Sequence, residues 1–199
     1  EFFYERPDEV LEVAVKGMVN VLDGCIANGV RDFVLASSSE VYQAPRLIPT
    51  PEDVPLIVPD LFNPRYSYGG GKIISELLTI HMGRKHFDRA VIFRPHNVYG
   101  PEMGNEHVIP QFALRMRRLV ETVPHGTLRF DIQGNGQETR SFIYIDDFSD
   151  GLLRVIEAGE HMGVYHIGTS DEVSIASVAH MVAGCFGRQI EIVPGRVQP

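Results

Sequence analysis

Cysteine and tryptophan are scarce in this sequence. Its 199 residues include two cysteines and no tryptophan. Cys25 and Cys185 stand far apart, each in an apolar helical pattern. Two buried, reduced thiols are therefore expected rather than a disulfide. There is no CxxC, and the eight histidines include no HxxxH pair, so no metal site is expected. Basic charge is short as well: 18 Lys and Arg against 26 Asp and Glu leave a formal net charge of -8. A nucleic-acid partner needs a basic face for its phosphates, and this balance argues against one. An anionic small ligand needs only one or two well-placed arginines. No apolar run reaches the roughly 18 residues of a membrane span. The first residues, EFFYERPDEV, have no basic stretch followed by an apolar one, so no secretory leader is expected and a cytoplasmic location follows. A GxxGxxG loop, whose amides face a dinucleotide pyrophosphate, is also missing.

The residues present alternate between helical and strand patterns. Val10, Ala14, Gly17, Val21 and Cys25 recur at three- and four-residue steps and predict a helix over 9–28, closed by Asn28-Gly29. Strands are expected at Asp32–Ala36, Ala90–Phe93, Arg140–Ile145, Gly163–Ile167 and Ile190–Val193. Helices are expected at Tyr66–Lys85, His107–Val120, Asp146–Glu157 and Ile175–Phe186. Six prolines between 44 and 65 demand a long loop. This alternation implies an α/β fold with a mostly parallel sheet covered on both faces. Ligands sit beyond the carboxyl ends of such strands, where SSSEVY and RPHNVYGP both fall.

Tyr68 and Lys72 are one helical turn apart and share a face. A free tyrosine, with a pKa of about 10, is a poor base at neutral pH, and a cation beside its hydroxyl favours the phenolate. Between them lie Gly69, Gly70 and Gly71. Each costs about 0.8–1.0 kcal/mol in a helix interior relative to alanine, so something must approach the backbone there: a cofactor, a sugar or a partner helix. Upstream, the Ser37-Ser38-Ser39 cluster offers a hydroxyl at a strand end, and Glu40 offers a carboxylate for acid–base work.

Taken together, FVLASSSEVY, PRYSYGGGKIISE, VIFRPHNVYGPE, GNGQETRSFIYIDD and VYHIGT resemble the extended short-chain dehydrogenase family of NAD-dependent nucleotide-sugar epimerases, dehydratases and decarboxylases. The resemblance implies a Rossmann-like doubly wound parallel sheet, NAD as cofactor and a nucleotide-diphospho-sugar as substrate, processed through a transient keto-sugar. It implies Tyr68 as the base, Lys72 as its tuning cation and ribose anchor, and Ser38 as the catalytic hydroxyl, with Ser37 beside it. Pro95 and His96 match positions flanking the cofactor. Asn97, His107, Gln133, Arg140 and Arg196 match substrate positions. The two arginines suit a diphosphate because a guanidinium meets phosphate oxygens in pairs. Glu40 resembles the dehydratase and decarboxylase pattern more than that of simple 4-epimerases, which usually have an uncharged residue there. The 4,6-dehydratase pattern adds an Asp before the Glu, where this chain has Ser39. Ala14 stands where the family often has an asparagine.

The resemblance further implies a fragment, without the first strands of the sheet and part of the C-terminal lobe. Residues 1–106 would be the C-terminal part of the NAD-binding domain, and 107–199 a mixture of substrate lobe and returning Rossmann elements. A half sheet exposes an unpaired edge, so the piece alone is expected to be poorly soluble or to pair with another chain. The helices at 9–28 and 66–85 resemble the family's dimer contact, which implies a homodimer. Two rival readings are a non-catalytic binding protein on the same fold, and a remnant that does not turn over.

Overall fold

The computed structural model describes residues 2–195. In chain order the elements are α1 (Phe2–Glu5), α2 (Pro7–Glu12), a π-helical turn (Val13–Gly17), α3 (Met18–Ala27), β1 (Asp32–Ala36), α4 (Ser67–His86), β2 (Arg89–Pro95), β3 (Asn97–Tyr99), α5 (Val108–Thr122), β4 (Leu128–Ile132), β5 (Thr139–Arg140), β6 (Phe142–Tyr144), α6 (Ile145–Ala158), β7 (Val164–Ile167), β8 (Val173–Ser174), α7 (Ile175–Cys185) and β9 (Ile190–Pro194).

The chain divides into two compact units, residues 2–96 with 146–168 and residues 97–145 with 169–195. The first stretch of the first unit runs to His96. The unit takes back 146–168 because β7 pairs with β2.

In the first unit, β1, β2 and β7 form a parallel sheet in the order β1-β2-β7, so their carboxyl ends lie along one edge. Ala90 and Ile92 of β2 pack with Met18 and Leu22 of α3 and Leu35 of β1. The alternate residues face the other way: the Phe93 ring lies 6.2 Å from that of Phe148 on α6. The helix expected over 9–28 is one continuous run from Pro7 to Ala27 interrupted by the π turn. Asn28 Nδ2 donates to Gly24 O at 2.8 Å, and Gly29 adopts φ 66°, the left-handed turn that ends a helix.

The second unit holds two further parallel pairs, β3 with β6 and β4 with β9, and one antiparallel pair, β5 with β8. Its core joins Phe112 and Met116 of α5, Val178 and Ala179 of α7, and Leu128, Phe130 and Ile132 of β4.

Two expectations need correction. The strand expected over Arg140–Ile145 is broken at Ser141 into β5 and β6, and Ile145 already belongs to α6. Cys185 is exposed rather than buried, because it lies in the last turn of α7, whereas Cys25 is half-buried; both thiols are free.

Residues 44–65 cross from the end of β1 towards α4 without a strand or an α-helix. Glu52 ties this stretch to the sheet. Its carbonyl accepts from Arg94 at 2.9 Å and its carboxylate from His166 N at 3.2 Å.

Candidate active site

In the first unit the expected residues gather at the end of β1. Helix α4 places Lys72 so that Nζ donates to Ala36 O at 2.8 Å and lies 5.8 Å from the centroid of the Tyr68 ring. The two side chains thus share a face, as their spacing predicts. Burial pushes the Lys72 ammonium below its ordinary pKa, and the Glu76 carboxylate opposes that shift. The Phe3 ring rests against Tyr68, 5.4 Å between centroids.

Ser37 and Ser38 are both buried. Ser38 Oγ accepts from Glu40 N at 3.2 Å, capping a short 3-10 turn over Ser39–Val41. That turn sends the Glu40 carboxylate outward, where it is exposed. Pro95 closes β2, and His96 N donates to Ile167 O at 3.0 Å.

The glycine run admits neighbours at two of its three positions. A methyl group on Gly69 would stand 2.7 Å from Glu40 O, and one on Gly71 would stand 2.6 Å from Ala14 Cβ. On Gly70 it would meet nothing nearer than Val58 at 3.5 Å. The approach to the helix backbone inferred from the sequence is therefore made by the loop after β1 and by the helix before it.

A buried polar cluster behind these residues escaped sequence reasoning. Glu76 of α4 and Arg94 of β2 form a two-pronged pair, Nε to Oε1 at 2.9 Å and NH2 to Oε2 at 2.7 Å. Ser37 Oγ donates to Glu76 Oε1, and Arg94 NH1 donates to the Tyr42 hydroxyl. That hydroxyl also meets His166 Nε2, and the His166 ring lies 5.5 Å from that of His96. The His96 ring sits over Gly168, where a Cβ would collide with it. Burial raises the Tyr42 pKa and lowers those of both histidines; Glu52 opposes the shift in each imidazole. The sequence signals were a glutamate four residues after Lys72 and an arginine inside an otherwise apolar strand.

In the second unit, Asn97 Nδ2 donates to Ser141 O at 2.8 Å, the residue after Arg140. His107 caps the N-terminus of α5 through its backbone. Gln133 and Arg140 are exposed, and Arg140 NH1 donates to its neighbour Thr139 O at 2.7 Å. Arg196 lies outside the described residues. Among the described residues no group of three potential ligands suits a metal ion, and no helix is long and apolar enough to cross a membrane.

A parallel sheet with a Tyr-Lys helix at its carboxyl edge defines a class that direct comparison makes specific. The model of the NAD dependent epimerase/dehydratase family matches residues 3–168, and the chain belongs to that family. UDP-glucuronic acid decarboxylase 5 of Arabidopsis thaliana is 32% identical, over 96% of this chain and 53% of that protein. dTDP-4-dehydro-6-deoxy-D-allose reductase of Streptomyces bikiniensis is also 32% identical, over 98% of this chain and 59% of that protein. Among solved structures, RMD from Pseudomonas aeruginosa complexed with NADPH matches with a TM-score of 0.83 at 25% identity, over 98% of this chain and 64% of that one. The chain thus spans just over half the length of the curated relatives it matches.

Proposed function

We propose that the whole protein is an NAD-dependent enzyme that oxidises a hydroxyl of a nucleotide-diphospho-sugar and processes the resulting ketone by epimerisation, dehydration or decarboxylation. The observation that carries this reading is the placement of the Lys72 ammonium beside the Tyr68 ring and on the carbonyl of Ala36, the residue before Ser37 and Ser38. Tyr68 takes the proton of the sugar hydroxyl. Lys72 holds its positive charge beside the ring that carries the receiving oxygen. Ser38 bonds the same sugar oxygen.

The residues present fit NAD at its nicotinamide end. Lys72 spends one of its three N–H donors on Ala36 O, leaving two for ribose hydroxyls, and Pro95 and His96 border the same edge of the sheet. When bound, NAD supplies the acceptor for the hydride that leaves the sugar carbon. Asn97, His107, Gln133 and Arg140 are assigned to the substrate, with Arg140 meeting the diphosphate. Glu40 serves as the acid–base group at the carbon next to the ketone, where the carbonyl makes a proton removable. Glutamate at that position favours dehydration or decarboxylation over simple 4-epimerisation, and the similarity to a UDP-glucuronic acid decarboxylase is in keeping with that.

A second copy of the chain is the partner we infer. Leu11, Val13 and Val21 remain exposed on the first helical run, and Ile74 and Leu77 on α4, although the two stretches pack on each other through Gly71 and Ala14. Dimerisation would cover these side chains. The free thiols suit a cytoplasmic setting.

The deciding experiment incubates the full-length protein and NAD with UDP-, GDP-, CDP- and dTDP-sugars and reads product masses. A product that is isomeric, dehydrated or decarboxylated is expected from one of the four series. No change in any of them refutes the reading.

A further inference from the structure

Tyr68, Lys72 and Glu76 follow one another at four-residue steps and so lie on one face of α4. Lys72 holds Ala36 O, and Glu76 holds the hydroxyl of Ser37. Two successive residues of this face therefore grip two successive residues at the end of β1, and Ser38 comes next. Glu76 is 3% exposed. A carboxylate so placed needs a cation and hydrogen bonds in place of its lost water. Arg94 does this with both prongs of its guanidinium. The third guanidinium nitrogen is fixed on Tyr42 and on Glu52 O, so the pair is anchored from three sides. From its own helix Lys72 faces Tyr68 and Glu76. From β1 it meets a backbone carbonyl, and Arg94 of β2 reaches it only through Glu76.

We propose that Glu76 is a positioning residue. It registers the Ser37-Ser38 turn on α4, and it supplies the negative charge that balances the Lys72 ammonium beside Tyr68. This rests on reading Tyr68 and Lys72 as the acting pair, yet its test needs no turnover.

The full-length protein is compared as wild type, as Glu76→Gln, and as Glu76→Gln with Arg94→Gln. The double variant leaves no buried charge without a partner and so retains the fold where the single one does not. Competitive acetylation with acetic anhydride across neutral to alkaline pH, read on the peptide from Tyr66 to Arg84 that contains Lys72 as its one lysine, gives the titration midpoint of that amine. The midpoint is expected to fall by about half a unit or more in Glu76→Gln, where the opposing carboxylate is gone, and by less in the double variant, which also loses the Arg94 cation. Amide hydrogen exchange at Ser37 and Ser38 is expected to quicken by about tenfold. Unchanged exchange at the two serines in the folded double variant, or a Lys72 midpoint that does not fall in Glu76→Gln, overturns the proposal. A Tyr68→Phe protein that still turned over would refute the role given to Tyr68 and leave these two readouts as they are.

Discussion

Gly71 of α4 lies so close to Ala14 that a methyl group on the glycine would stand 2.6 Å from the alanine Cβ. Ser75, one turn along, seals the contact by sharing its one hydroxyl proton between Gly71 O at 3.0 Å and Ala14 O at 3.3 Å. This contact keeps the helix that carries Tyr68 against the preceding helical run, and it leaves room for nothing larger at either position.

The glycine run can therefore be dissected by alanine. Gly71→Ala forces two helices apart and is expected to destabilise by about 1–3 kcal/mol, as overpacking does. Gly70→Ala has space, 3.5 Å to Val58, and is expected to stabilise by up to about 1 kcal/mol through helix propensity. Urea denaturation midpoints of the two variants should move in opposite directions.

Tyr68→Phe removes one oxygen and little else, since the ring keeps its packing on Phe3. Turnover by the full-length enzyme is expected to fall by about 10²–10⁴-fold, the usual worth of a positioned acid–base group. Sugar-nucleotide affinity should hold, as calorimetry on the inactive variant would show.

Glu40→Gln separates the chemistries open to this family. The side chain is exposed, so the exchange should leave stability within about 0.5 kcal/mol. Product formation is expected to fall by about 10²-fold while the first oxidation persists, visible as a burst of NADH absorbance without product. Undiminished product formation would favour simple 4-epimerisation.

Acid should weaken the first unit. His96 and His166 are held below their ordinary value of 6.5 chiefly by burial, so the unfolded chain takes up protons that the folded chain refuses. Their contribution to stability is fully present above about pH 6.5 and is lost as the pH falls through their folded values. Urea midpoints measured at about pH 7.5 and about pH 5.5 should show the loss, and His166→Gln should make it shallower.

Much of this fold was legible because helices and buried strands carry their own patterns. The five residues of β1 and the start of α7 fall where periodicity put them. The strand β4 was overlooked although Leu128, Phe130 and Ile132 alternate with Arg129 and Asp131, the signature of a strand with one buried face; here Leu128 is 2% and Phe130 0% exposed. β3 and β8 are too short to show any period. The Tyr-Lys pair was readable from spacing on one helix. The Glu76–Arg94 pair and the Tyr42–His166 contact were not, because their partners meet only once β1, β2 and β7 are laid side by side. Ser141, which divides β5 from β6, donates its hydroxyl to Thr169 O at 2.6 Å, again a contact between distant segments.

Glu52 moors the crossing from β1 to α4 to the sheet, and this separates two tasks within one stretch of chain. The ends are fixed by the sheet and the helix, whereas the span between them can change length on either side of its mooring. Lengthening such a span raises its closure entropy only with the logarithm of its size. Apolar tips such as Leu61 and Phe62, now 86% and 95% exposed, can thus be exchanged without disturbing the sheet or the helix that the span joins.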